Sequence, residues 1–124
     1  MSVLTAFNTQ LVRFFEELST TFPEEREIKM AVEAISAARK INPRLVLDMF
    51  YEHVYKENAQ AIYDKDIQAI ITSANKKILT QFNDYMVALT IFNKHWHNMS
   101  PNNQETVLNY LTVICKLCER ARAA

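Results

Sequence analysis

The stretch Asn42–Tyr55, NPRLVLDMFYEHVY, decides the fold. It opens with Asn42, whose side-chain oxygen suits the free amides of a helical first turn. Pro43 follows, with a fixed φ that fits the first helical position and a missing N–H that costs nothing there. Behind them Leu45, Val46, Leu47, Met49, Phe50, Tyr51, Val54 and Tyr55 leave only Arg44, Asp48, Glu52 and His53 polar. A helix so apolar around its circumference must be enclosed by others, which calls for a bundle rather than a lone amphipathic rod.

The same grammar extends to both sides. Towards the N-terminus, Leu4, Phe7, Leu11, Phe14 and Leu18 fall three and four apart between Val3 and Thr20, with Arg13, Glu16 and Glu17 opposite. Val3, Val12 and Phe15 widen that stripe, so it faces more than one neighbour. Phe22-Pro23 ends the first helix, and Pro23 is expected to start a second, with Glu24, Glu25 and Glu27 in its first turn where the helix dipole favours them. Ile28, Ala31, Val32, Ile35 and Ala38 then form a stripe of mostly small residues that permits close approach.

Towards the C-terminus the pattern weakens through Lys56-Glu57-Asn58. One or two further turns at Ala59, Ala61, Ile62 and Tyr63 precede a cap at Asp64-Lys65-Asp66. Asp66 is expected to cap a long helix carrying Ile67, Ile71, Ala74, Ile78, Phe82, Tyr85, Leu89, Phe92 and Trp96, about thirty residues with a kink near Ser73-Ala74-Asn75. Ser100-Pro101 opens the last helix, with Val107, Leu108, Leu111, Ile114, Cys115 and Cys118 inward and Arg120 and Arg122 at its negative end. No period-two run bounded by turn residues occurs. The prediction is an all-α, compact single-domain bundle of five or six helices over residues 1–124.

Composition sharpens this. The 124 residues include no glycine, where average usage of about 7% would place roughly nine. A phosphate-cradling loop, a dinucleotide fingerprint, a nucleophile elbow and an EF-hand turn all need the backbone freedom of glycine, so those enzyme classes are excluded. Fourteen basic and fourteen acidic side chains give a net charge of zero, which leaves no global field for nucleic acid or anionic lipid. Nucleic acid is therefore not the expected partner, although Lys76-Lys77 and Arg120 with Arg122 keep an accessory role in nucleic-acid binding as an alternative. Without a leader or a long apolar span the chain is expected to be intracellular and free of the membrane.

Candidate chemistry is sparse. Cys115 and Cys118, three apart late in a helix, read as buried apolar residues. A zinc site uniting them with His95 or His97 is a second alternative, but the two histidines stand two apart on a helix and point to opposite sides. Trp96 is expected to anchor the long helix in the core, with its flanking histidines solvated or touching the last carbonyls. Glu24, Glu25 and Glu27 have no partner cluster for acid–base chemistry. Asp48 and Glu52 form either a solvated strip or a small acidic docking patch. No catalytic residue, cofactor or metal is assigned, and an enzyme is not expected.

Aromatic residues offer the sharper expectation. Phe50, Tyr51, Tyr55 and Tyr63 outnumber what one helix face can bury, and beside Met49 they have the composition of a contact surface. Met49, Phe50, Tyr51, Tyr55 and Tyr63 are thus the candidate interaction residues of a non-catalytic protein–protein interaction module. Its partner would be a heterologous protein or a second copy in a homo-oligomer. The blocks LVRFFEEL at 11–18, FPEEREI at 22–28, KINPRLVL at 40–47, Trp96, Ser100-Pro101 and VLNYL at 107–111 resemble small all-helical proteins of unassigned function encoded by large DNA viruses of algae and protists. That resemblance implies a viral protein acting in the infected cell or the virion, and it transfers no catalytic residue.

Overall fold

Local capping chemistry sets most of the helix starts. The computed structural model describes the backbone of residues 2–80 and 94–123, and the side chains of residues 2–73 and 94–123. Helix α1 (Val3–Thr21) begins where Ser2 Oγ accepts from the Thr5 N–H at 3.0 Å. Helix α2 spans Arg26–Ile41, and α3 spans Pro43–Phe50 with Asn42 Oδ1 accepting from the Leu45 N–H at 3.2 Å. The second helix does not start at Pro23 as the sequence suggests. The Phe22 carbonyl accepts from the Glu25 N–H at 3.0 Å, so Pro23 occupies a tight turn, for which its fixed φ is equally suited. Glu25 at the N-cap makes no capping bond, because its carboxylate turns to His95 instead.

Beyond Phe50 the helix continues through a π-helical turn, Tyr51–Tyr55, into α4 (Lys56–Tyr63). The buried residues Val46, Phe50, Val54, Asn58 and Ile62 recur every four positions. On an ideal α-helix each such step overshoots a full turn by about 40°, and the row would drift off the core. The wider turn takes up part of that drift: the Lys56 N–H reaches the Tyr51 carbonyl five residues back. Asn58 Nδ2 donates to the Val54 carbonyl at 3.1 Å, which explains a polar side chain only 2% exposed. The apparent weakening of the pattern after Tyr55 is thus a change of helical phase rather than a break.

At the end of α4 the Asp66 N–H donates to the Ala61 carbonyl and the Lys65 N–H to the Ile62 carbonyl, at 2.8 and 3.1 Å. This is a Schellman closure, and it places Lys65 at φ 55°. Glycine would fill that place in most chains, and this one has none. Replacing Lys65→Gly is expected to raise stability by about 0.5–1 kcal/mol, since a left-handed side-chain-bearing residue costs more than glycine's added entropy. The urea midpoint should rise with an unchanged slope; an unchanged or lower midpoint contradicts the expectation.

Asp66 Oδ1 then accepts from the Ala69 N–H at 3.1 Å and opens α5 (Ile67–Thr80). The rest of the expected long helix, with Phe82, Tyr85, Leu89 and Phe92 and the side chains of Ala74 and Ile78, lies outside the described residues. At Trp96–Asn98 a single 3₁₀ turn precedes α6 (Pro101–Ala123), which Ser100 Oγ caps by accepting from the Asn103 N–H at 3.2 Å. The elements of the described residues are all helices, joined by short turns: an all-α bundle in which α1 lies against α2, α3 and α6, and α4 lies against α5 and α6.

One core unites them. Phe7, Leu11, Phe14, Phe15 and Leu18 of α1 meet Ile28, Ala31 and Ile35 of α2 and Val46, Leu47 and Phe50 of α3, while α6 contributes Val107 through Ala121 at helical spacing. Every residue expected on the inner face of α6 is buried. The buried Asn8 links α1 to the start of α3, its Nδ2 donating to the carbonyls of Leu4 at 3.1 Å and Pro43 at 3.3 Å. The third helix is less enclosed than its sequence suggests, for Leu45 is 49% exposed.

Candidate functional site

The candidate aromatic residues stand where the α3–α4 rod crosses α6. Phe50 is a core residue, 3% exposed and edge-on to Phe7 with ring centroids 5.4 Å apart. Tyr51 and Tyr55, one turn apart across the π turn, stack at 5.4 Å. The Arg122 guanidinium lies 3.6 Å from the Tyr51 ring centroid and donates to Asp48 Oδ1 at 3.2 Å. Tyr55 and Tyr63 both donate their hydroxyls to Glu119 Oε1, at 2.5 and 2.7 Å. Met49, Tyr51, Tyr55 and Tyr63 are half-buried.

This junction fixes α6 to α4 through a single carboxylate. The two phenol donors hold the Glu119 carboxyl below its ordinary range. The bond to Glu119, followed by burial, pushes Tyr55 up to about 12, and burial with the same bond raises Tyr63. The protons therefore stay on the phenols and the charge stays on Glu119, an arrangement suited to holding two helices in register. Asp48 is engaged by Arg122, and Glu52 pairs with Lys56 at 3.4 Å.

Beneath this layer Cys115 and Cys118 are fully buried free thiols, each pushed up to about 12, with burial the main cause. That suppresses the thiolate that nucleophilic or ligand chemistry requires. His95 is elsewhere. Gln104 Nε2 donates to the Trp96 carbonyl at 2.7 Å, which places this segment beside the N-terminal end of α6. The cysteines lie about 20 Å further along that helix. The structure does not bring Cys115, Cys118 and a histidine together, and among the described residues no three of His, Cys, Asp and Glu stand close enough to share a metal ion.

Nor is His95 solvated or bound to helix-end carbonyls. Its ring stacks on Phe22 at 4.2 Å and its Nε2 meets Glu25 Oε1 at 3.0 Å, with Lys94 Nζ at 3.5 Å from the same oxygen. The His95 bond is the main cause holding the Glu25 carboxyl below its ordinary range. This clasp ties the segment before α6 to the corner between α1 and α2. Trp96, 5% exposed, anchors the core beside it as expected. A cleft of about 60 Å³ between α1 and α6, lined by Phe14, Leu18, Phe22, Met99, Val107 and Tyr110, is smaller than a typical substrate pocket.

A different surface carries exposed apolar side chains. Met30 is 63% exposed and Ile41 86%, and Leu45, past the break at Asn42 in the first turn of α3, is exposed too. Between Met30 and Ile41 stand Ala34 and Ala37. Ile28, Ala31 and Ile35 of the same helix are buried, so α2 carries a second apolar row on its outward side. The signal was present in the sequence as the 4-3-4 spacing of positions 30, 34, 37 and 41. It is masked there by the parallel row of core residues one or two positions away.

Comparison of the chain with models of known protein families, with characterised proteins and with solved structures found no match. The viral resemblance thus rests on its sequence blocks alone. No helix among the described residues is long and apolar enough to cross a membrane.

Proposed function

We propose that this chain is a non-catalytic helical module that works by binding protein, through the outward face of α2 and the head of α3. The observation that carries this reading is the row Met30, Ala34, Ala37 and Ile41 along α2, whose two long side chains are largely exposed, with a further exposed apolar residue, Leu45, at the head of the next helix. Exposed apolar side chains scattered singly need no explanation, but a row at helical spacing on one face is the pattern of a recognition surface. The tyrosines of the π turn and α4 support the scaffold in this reading: Tyr51, Tyr55 and Tyr63 secure α6, and α6 secures α1.

A photo-activated benzophenone side chain introduced at position 41, with a second one at the exposed Val113 on α6 as control, tests the proposal in cells that make the protein. Position 41 is expected to yield a discrete covalent adduct with a protein and position 113 none. Absence of any adduct at 41, or equal labelling at both positions, overturns the reading.

A further inference from the structure

We infer that the partner of the α2 face is a second copy of this chain, paired antiparallel about a two-fold axis; this rests on the interaction-module reading and names its partner. The spacing comes first. Positions 30, 34, 37 and 41 follow the four-three rhythm of a helix–helix seam, and all four belong to one helix of uniform geometry. An antiparallel copy sets Met30 against the second copy's Ile41, and Ala34 against its Ala37. Two alanines at the centre let the axes approach closely, with one long side chain of each helix closing either end.

Charge decides the direction. Glu33 and Lys40 stand seven residues apart on the same flank of the row, both exposed. Neither pairs with another side chain among the described residues. A two-fold axis across the seam brings like flanks together with their directions reversed. In the register set by the apolar layers, Glu33 of each copy then lies about 3 Å along the axis from Lys40 of the other, within reach of an ion pair. Parallel pairing would instead set this flank against Ala31 and Ala38, which turn into the core and offer no charge. The chain is thus complementary to itself in one orientation. A seam of four layers, about 16 Å long, is short beside a standard interface, so the dimer is expected to form in the micromolar range.

Sedimentation equilibrium of the full chain from low-micromolar to near-millimolar concentration tests this. The expected result is a reversible shift from the 14.4 kDa chain mass to twice that value. Ile41→Asp, at a position already exposed to water, should weaken the association at least about tenfold, equivalent to about 1.4 kcal/mol. Glu33→Lys and Lys40→Glu should each weaken it several-fold, and the double variant should restore it, because reversing both charges preserves every pair. A mass of one chain at all concentrations overturns the inference. So does a dimer insensitive to Ile41→Asp, or a double variant as weak as the singles. If the protein is monomeric yet cross-links from position 41 to a different chain, self-pairing fails while the interaction-module reading stands.

Discussion

Replacing Phe7 by alanine is expected to lower stability by about 3–5 kcal/mol. Phe7 is fully buried and edge-on to Phe50, so it joins α1 to the rod whose helical phase the π turn corrects. Truncation removes the transfer free energy of the ring and an aromatic pair, and leaves a cavity that the surrounding core refills only partly. The cost should appear as a fall of roughly 10–20 °C in thermal midpoint, and as an equivalent fall in the urea midpoint followed by circular dichroism. Phe7→Leu should recover a substantial part of the loss. A loss below about 1 kcal/mol would show that the ring has no packed surroundings and that α1 does not seat on α3 as described.

Trp96→Ala is expected to be comparably severe, about 3–5 kcal/mol, for a different reason. Trp96 is the only tryptophan of the chain. It follows directly on the His95–Glu25 clasp, and its carbonyl is held by Gln104. Removing the indole empties the site that fixes the approach to α6 and should loosen the clasp with it. The native protein supplies an independent readout: the emission of this indole should be that of a buried ring, poorly quenched by iodide, and should move to longer wavelength on unfolding. A native spectrum typical of a water-exposed indole would contradict the burial, as would a variant that unfolds at the same denaturant concentration as the parent.

Much of the fold is legible in the sequence because its signals are local. Ser2, Asn42, Asp66 and Ser100 each cap an amide three residues ahead, a contact that the chain makes with itself wherever it lies. Pro23 misleads for the same reason. Its fixed φ serves a helix start and a tight turn equally, and the carboxylate that breaks the tie belongs to Glu25, which is drawn away by His95 seventy residues on. The contact surface proposed on α2 is legible in the sequence in kind rather than in place. An excess of apolar side chains over what the core accommodates is visible at once, but whether the aromatics or the α2 row form the excess depends on what lies opposite each.

From its sequence alone this protein is determined to be an all-helical, glycine-free chain of zero net charge, with its helices opened by polar caps and proline and each carrying an apolar stripe. The tertiary structure alone decides which stripes are covered. Tyr55 and Tyr63 are taken up by Glu119, 64 and 56 residues away, and Tyr51 by Arg122, while Met30 and Ile41 on α2 remain largely exposed among the described residues. Helix formation is settled by contacts three and four residues apart. The choice between burial and exposure is settled by surfaces that meet only when distant helices pack, and hydrophobic burial, being non-directional, leaves no mark in the local sequence of which surface will be met.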